Sequence, residues 1–165
     1  MKPTPCPVVC FRFLVLPAAL LVLTLAPCHA AEASDAARIQ LENAWIAEAP
    51  PLSKVMAGYM KIQNPGKQPV AIEKITSADF SSIEIHRSVE KDGIARRERQ
   101  DGINIAAGSQ FELAPGDYHL MMFKPKKPFH AGDRSQLIFT FVDGNSATFD
   151  VVVKKASDYL NNGHH

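Results

Sequence analysis

Beyond residue 28 this chain contains no cysteine: its three, Cys6, Cys10 and Cys28, all fall within the first thirty of 165 residues. The remainder therefore has no disulfide, no thiolate nucleophile and no thiolate metal site. Any soft-metal site outside that segment must be built from methionine and histidine. Long apolar runs are equally scarce. The one extended run covers residues 13–26, behind Lys2 and Arg12 and ahead of Cys28-His29-Ala30, which puts small residues at −3 and −1 for cleavage before Ala31. This three-part layout predicts a secretory signal peptide over residues 1–30. The run is short for a bilayer span and Pro17 interrupts it, which disfavours a retained membrane anchor. A lipoprotein reading of Leu25-Ala26-Pro27-Cys28 fits poorly because proline precedes the cysteine.

Charge of one sign is lacking too. Lys2 and Arg12 leave with the signal, which takes the 18 basic residues to 16 against 17 acidic ones. A near-neutral chain argues against nucleic-acid binding and against a polybasic membrane clamp, and no stable membrane insertion is expected after cleavage. The chain also has no Gly-rich phosphate loop, no nucleophile elbow and no His-Glu-x-x-His zinc helix. Carboxylates such as Glu98 and Asp101 lie close in sequence, but near a turn they read as solvated. No catalytic residues are assigned, and the chain is not expected to be an enzyme. No window of 11 or more residues beyond the signal has a 3.6-residue apolar period, so long amphipathic helices are not expected.

Short strands separated by turn signals are what remains. Residues 31–37 read as a flexible lead-in. Ile39-Gln40-Leu41-Glu42 and Ile83-Glu84-Ile85-His86 alternate at period two, residues 58–62 and 70–75 favour strand, and residues 137–142 and 149–153 are β-branched and aromatic. Asp92-Gly93 and Asp143-Gly144 are hairpin turn pairs, and Pro115-Gly116 suits the centre of a type II turn. Strands recurring every 8 to 12 residues or so predict an all-β antiparallel sandwich or barrel. One domain is expected over residues 38–156, followed by a flexible tail at 157–165.

The chemistry concentrates in the second half. His119-Leu120-Met121 follows the Pro115-Gly116 turn. In a strand, residues i and i+2 share a face, so an imidazole and a thioether project side by side, about 7 Å apart at Cα. That pair suits Cu(I) better than zinc or magnesium. His86 ends another expected strand, and if the two strand ends meet, His86, His119 and Met121 converge. The plainer alternative is a methionine filling a core gap and a strand-end histidine bonded to backbone. Met122 should point into the core, Met60 should pack, Trp45 is most simply core, and His130 should be exposed and idle. His164 and His165 end the chain, native or left from a tag.

The spacing resembles that of the periplasmic copper chaperones called PCu(A)C, whose pattern is His, ten residues, Met, twenty-one residues, His, one residue, Met. Here His86, position 97, His119 and Met121 keep both spacings. Glu42-Asn43-Ala44-Trp45, Ala57-Gly58-Tyr59-Met60, Asn64-Pro65-Gly66, Asp101-Gly102-Ile103, Pro115-Gly116-Asp117-Tyr118-His119 and Lys127-Pro128-Phe129 also look like that family. The resemblance covers residues 39–153. It implies a cupredoxin-like Greek-key β-sandwich in the periplasm. It further implies a Cu(I) ion held on an exposed rim and delivered to an acceptor protein, periplasmic or membrane-anchored, for respiratory oxidase assembly or copper tolerance.

One position departs from the pattern. The second ligand place holds Arg97, within Ala95-Arg96-Arg97-Glu98-Arg99. A guanidinium carries no lone pair for a metal and is always charged. The expected ligand set is therefore His86, His119 and Met121. A metal-free binding module, using Arg96, Arg97 and Arg99 to engage an acidic partner or anion, is the competing expectation, and a solvated hairpin face is the plain one.

Overall fold

The computed structural model describes residues 39–157, so the expected signal peptide, the lead-in and the tail from 158 on, with His164 and His165, lie outside the described residues. The described chain forms ten strands: β1 (Gln40–Ala47), β2 (Val55–Gln63), β3 (Val70–Thr76), β4 (Phe80–Lys91), β5 (Ile94–Gln100), β6 (Ile103–Ile105), β7 (Gln110–Leu113), β8 (Tyr118–Pro125), β9 (Arg134–Phe141) and β10 (Ser146–Lys154). Local turn chemistry explains several of the joins. Asp92 and Gly93 both take positive φ, 56° and 73°, the two-residue turn that matches strand twist, and they pair Lys91 with Ile94. Pro115-Gly116 forms the type II turn, with Gly116 at φ 88° and the Asp117 N–H donating to the Ala114 carbonyl at 3.2 Å. Asp143-Gly144 behaves differently from a two-residue hairpin. Only Gly144 has positive φ, and the β9–β10 connection runs over residues 142–145, closed by the Phe141 N–H donating to the Asn145 carbonyl at 2.9 Å.

The strands lie in the order β5-β4-β8-β2-β1-β10-β9-β3-β6, with β7 also pairing β2. β2 is thus shared: its first half pairs with β8 and its second with β7. All ladders are antiparallel except β1 with β10, which run parallel and bring the two ends of the domain together. The sheet folds over, and side chains from β2, β4 and β8 share one core with side chains from β3, β6, β9 and β10. Met56, Met60, Ile85, Leu120 and Met122 meet Ile72, Ile103, Leu137, Phe139 and Val151 there. Each large side chain removed from water contributes about 1.5–3 kcal/mol before the entropy of ordering it is subtracted. The inward position of Met60 and Met122 agrees with the alternation of their strands.

Trp45 is buried as expected, with one difference of place. It lies outside the core cluster. The cause is a bulge: the β1–β2 register slips by one residue between Glu42 and Trp45, where Asn43 takes φ 53°. A one-residue slip moves each following side chain to the other face. Ile46 therefore enters the core opposite Gly58, while Trp45 lands opposite Tyr59 on the outer face, with ring centroids 4.8 Å apart.

Candidate metal centre

The outer face of β4 and β8 carries the residues singled out from sequence. In the β4–β8 ladder His86 stands directly opposite His119, and Glu84 directly opposite Met121. Directly paired residues in an antiparallel ladder project to the same side. One face thus holds two imidazoles, a thioether and a carboxylate, while the intervening Ile85 and Leu120 point into the core. The imidazole centroids lie 6.3 Å apart with the rings inclined by 33°. An ion about 2.0 Å from one nitrogen of each ring needs a centroid separation of roughly this size when the two bonds are near opposite. The separation of the rings matches the size of one ion between them, and Met121 projects from the same face.

Both histidines are sheltered. His119 is buried and the His86 side chain is 12% exposed. The residue two positions before each holds its ring. The His119 Nδ1–H donates to the Asp117 carbonyl at 2.9 Å, which leaves Nε2 with its lone pair. That carbonyl also accepts the Ser88 N–H at 3.2 Å, so the Pro115-Gly116 turn is tied to β4 where His119 enters β8. On His86 the engaged nitrogen is the other one. Nε2 lies 2.8 Å from Glu84 Oε2, and Nδ1 is buried without a hydrogen-bond partner among the described residues.

Arg97 is not the residue nearest His86 across β5. The β4–β5 register pairs His86 with Arg99 and Ser88 with Arg97. Arg99 Nη1 lies 3.6 Å from Glu84 Oε1. Arg97 shares the face but sits diagonally, exposed on the edge strand. Arg96, one residue along, projects to the opposite face, so the three arginines do not form a single cluster. β5 is exposed almost throughout because it is an edge strand with β4 as its one neighbour in the sheet and no residue in the core, and its charges discourage pairing with another chain.

Glu84 and Arg99 are the site neighbours that sequence reasoning missed. Both left a signal. Glu84 lies two residues before His86 in an alternating strand, and a two-residue turn at Asp92-Gly93 dictates that position 99 faces position 86. His130 stands apart: it is exposed and pairs with Glu48 Oε1 at 3.3 Å. Among the described residues no group of three or more His, Cys, Asp and Glu gathers to hold a metal.

The family model "Putative lipoprotein LpqE-like" matches residues 39–153. "Putative lipoprotein Lxx21020" of Leifsonia xyli is 32% identical over 120 residues, which span 72% of this chain and 71% of that one. "Uncharacterized protein RP573" of Rickettsia prowazekii is 27% identical over 104 residues, 62% of this chain and 58% of that one. The copper-bound PCuAC domain from PmoF2 superposes with a TM-score of 0.60 at 23% identity, covering 72% of this chain and 93% of the domain. The Cu(I) form of DR1885 from Deinococcus radiodurans gives 0.56 at 24%, covering 79% and 91%. The expected all-β, cupredoxin-like architecture is thus the observed one, and this chain belongs to the LpqE-like family, built on the fold of the PCuAC copper-chaperone domains.

Proposed function

We propose that this protein is an exported Cu(I) carrier that binds one ion through His86, His119 and Met121. It would pass the ion to an acceptor protein in respiratory oxidase assembly or copper homeostasis. The observation that carries the reading is the direct pairing of His86 with His119 at 6.3 Å between ring centroids, with Met121 on the same face. Two imidazoles and a thioether form a soft, low-coordinate donor set suited to Cu(I). Similar solved domains are copper-bound, which supports the cargo. The signal-peptide layout and the lipoprotein description of the family support placement outside the cytoplasm, in the periplasm on this reading. A carrier needs ligands that a partner can replace one at a time, and three donors on the outer face of β4 and β8 need no catalysis to do that.

The competing reading, a metal-free module working through Arg96, Arg97 and Arg99, draws less support. Arg96 is turned away from the other two and Arg99 is engaged with Glu84. A Cu(I) titration of the purified protein under reducing conditions, in competition with a colorimetric chelator, separates the two. One ion per chain, lost in His119→Ala, is the expected result. Wild-type protein that leaves all copper with the chelator would sink the carrier reading and favour the arginine module.

A further inference from the structure

We propose that Glu84, oriented by Arg99, is a positioning residue that selects the nitrogen His86 offers to a metal ion, so that the two histidines present unlike atoms, Nδ1 of His86 and Nε2 of His119. The proposal rests on the copper reading above and deepens it. A carboxylate only accepts hydrogen bonds, so Glu84 Oε2 at 2.8 Å requires the proton of a neutral His86 to sit on Nε2. The lone pair is then on Nδ1, the one buried side-chain polar atom without a hydrogen-bond partner among the described residues. Buried acceptors are normally satisfied, and one left over beside a facing imidazole and a thioether calls for a ligand. His119 is held the opposite way, its Nδ1–H on the Asp117 carbonyl and its Nε2 free.

Arg99 completes the arrangement. It pairs with His86 across β4–β5, and its Nη1 lies 3.6 Å from the second oxygen of Glu84. Glu84 also faces Met121 across β4–β8, on the ligand side of the sheet. Without Arg99 and His86 to occupy its two oxygens, that carboxylate would be a hard donor aimed into a soft site. The guanidinium and the imidazole N–H keep it in a supporting role, of the kind that orients metal-bound histidines elsewhere.

Ring-nitrogen NMR on ¹⁵N-histidine-labelled protein tests this, with and without Cu(I). In the metal-free protein His86 should carry its proton on Nε2 and His119 on Nδ1. On loading, the His86 Nδ1 and His119 Nε2 signals should move. Glu84→Ala should give His86 a mixture of tautomers and weaken Cu(I) by about tenfold to a hundredfold. Glu84→Gln keeps an acceptor oxygen and should restore both the single tautomer and most of the affinity. A metal-free His86 protonated on Nδ1, or copper-induced shifts at His86 Nε2, would overturn the proposal, and both are read on wild-type protein even if a variant fails to fold. Metal-free tautomers as described, with no response to copper, would instead overturn the carrier reading and the ligand half of this proposal with it.

Discussion

Arg97 stands opposite Ser88 in the β4–β5 ladder, two residue pairs beyond the pair formed by Arg99 and His86. It is therefore a diagonal neighbour of the histidine, on the same face. A methionine there could swing toward the two imidazoles, whereas the guanidinium only adds positive charge.

Arg97→Ala should leave Cu(I) binding intact or tighten it slightly. Removing a unit charge at roughly 6 to 8 Å across solvent is worth about 1 kcal/mol or less. Arg97→Met should tighten binding further, because it adds a thioether donor. Chelator competition on wild type, both variants and His119→Ala gives the order. Loss of binding in Arg97→Ala would show that the arginine supports the site.

The domain should fold without metal. Its core residues come from all nine strands other than the edge strand β5, and His86, His119 and Met121 are not among them. Metal-free protein should melt cooperatively, and copper should raise the midpoint only by mass action, through a stability gain of about 2.7 kcal/mol at a hundredfold excess over Kd. Calorimetry with and without Cu(I) checks this. A metal-free chain lacking a cooperative transition is the adverse outcome.

Gly102 should tolerate no side chain. A Cβ at that position would lie 2.6 Å from the Ile72 carbonyl oxygen, where β6 joins β3. Backbone cannot yield as a flexible side chain can, so Gly102→Ala should destabilise by about 1–3 kcal/mol through overpacking. Urea denaturation of the variant measures it, and a loss below a few tenths would show that β6 moves aside.

Asp143 should contribute stability that acid removes. The Asn145 side-chain amide and then the Asn145 backbone N–H hold its carboxyl below the ordinary value of 3.8. A carboxyl with a depressed folded pKa binds its proton less readily in the folded state. Its contribution is therefore present above 3.8 and disappears as pH falls through the lower folded value. The group is fully exposed, so the effect is small. The difference in melting temperature between wild type and Asp143→Ala should be present at neutral pH and should shrink below pH 3.8. A difference independent of pH would assign the effect to turn geometry instead.

Much of the face that carries His86, His119 and Met121 was legible in sequence. His119 and Met121 share a face by strand alternation alone, and Met122 and Leu120 fall inward by the same rule. The hairpin at Asp92-Gly93 determines that position 99 faces His86, a consequence of counting back from a two-residue turn. What sequence did not disclose was that His86 and His119, thirty-three residues apart, become direct partners. No local rule joins β4 to β8, because β5, β6 and β7 intervene in the chain while the sheet places the two side by side.

Composition and spacing alone determined that any soft site beyond residue 30 must use histidine and methionine, that the fold is built of strands, and where the turns at Asp92-Gly93 and Pro115-Gly116 lie. These properties belong to single residues and short windows, set by φ preferences and alternation. Tertiary structure decided the rest. The Asn43 bulge turned Trp45 outward by a slip of one residue, and the β1–β10 pairing closed the domain with a parallel ladder. The β4–β8 register placed His86 against His119 and Glu84 against Met121. Register between distant strands is settled by which faces can be buried together, and that is a property of the whole core rather than of any segment within it.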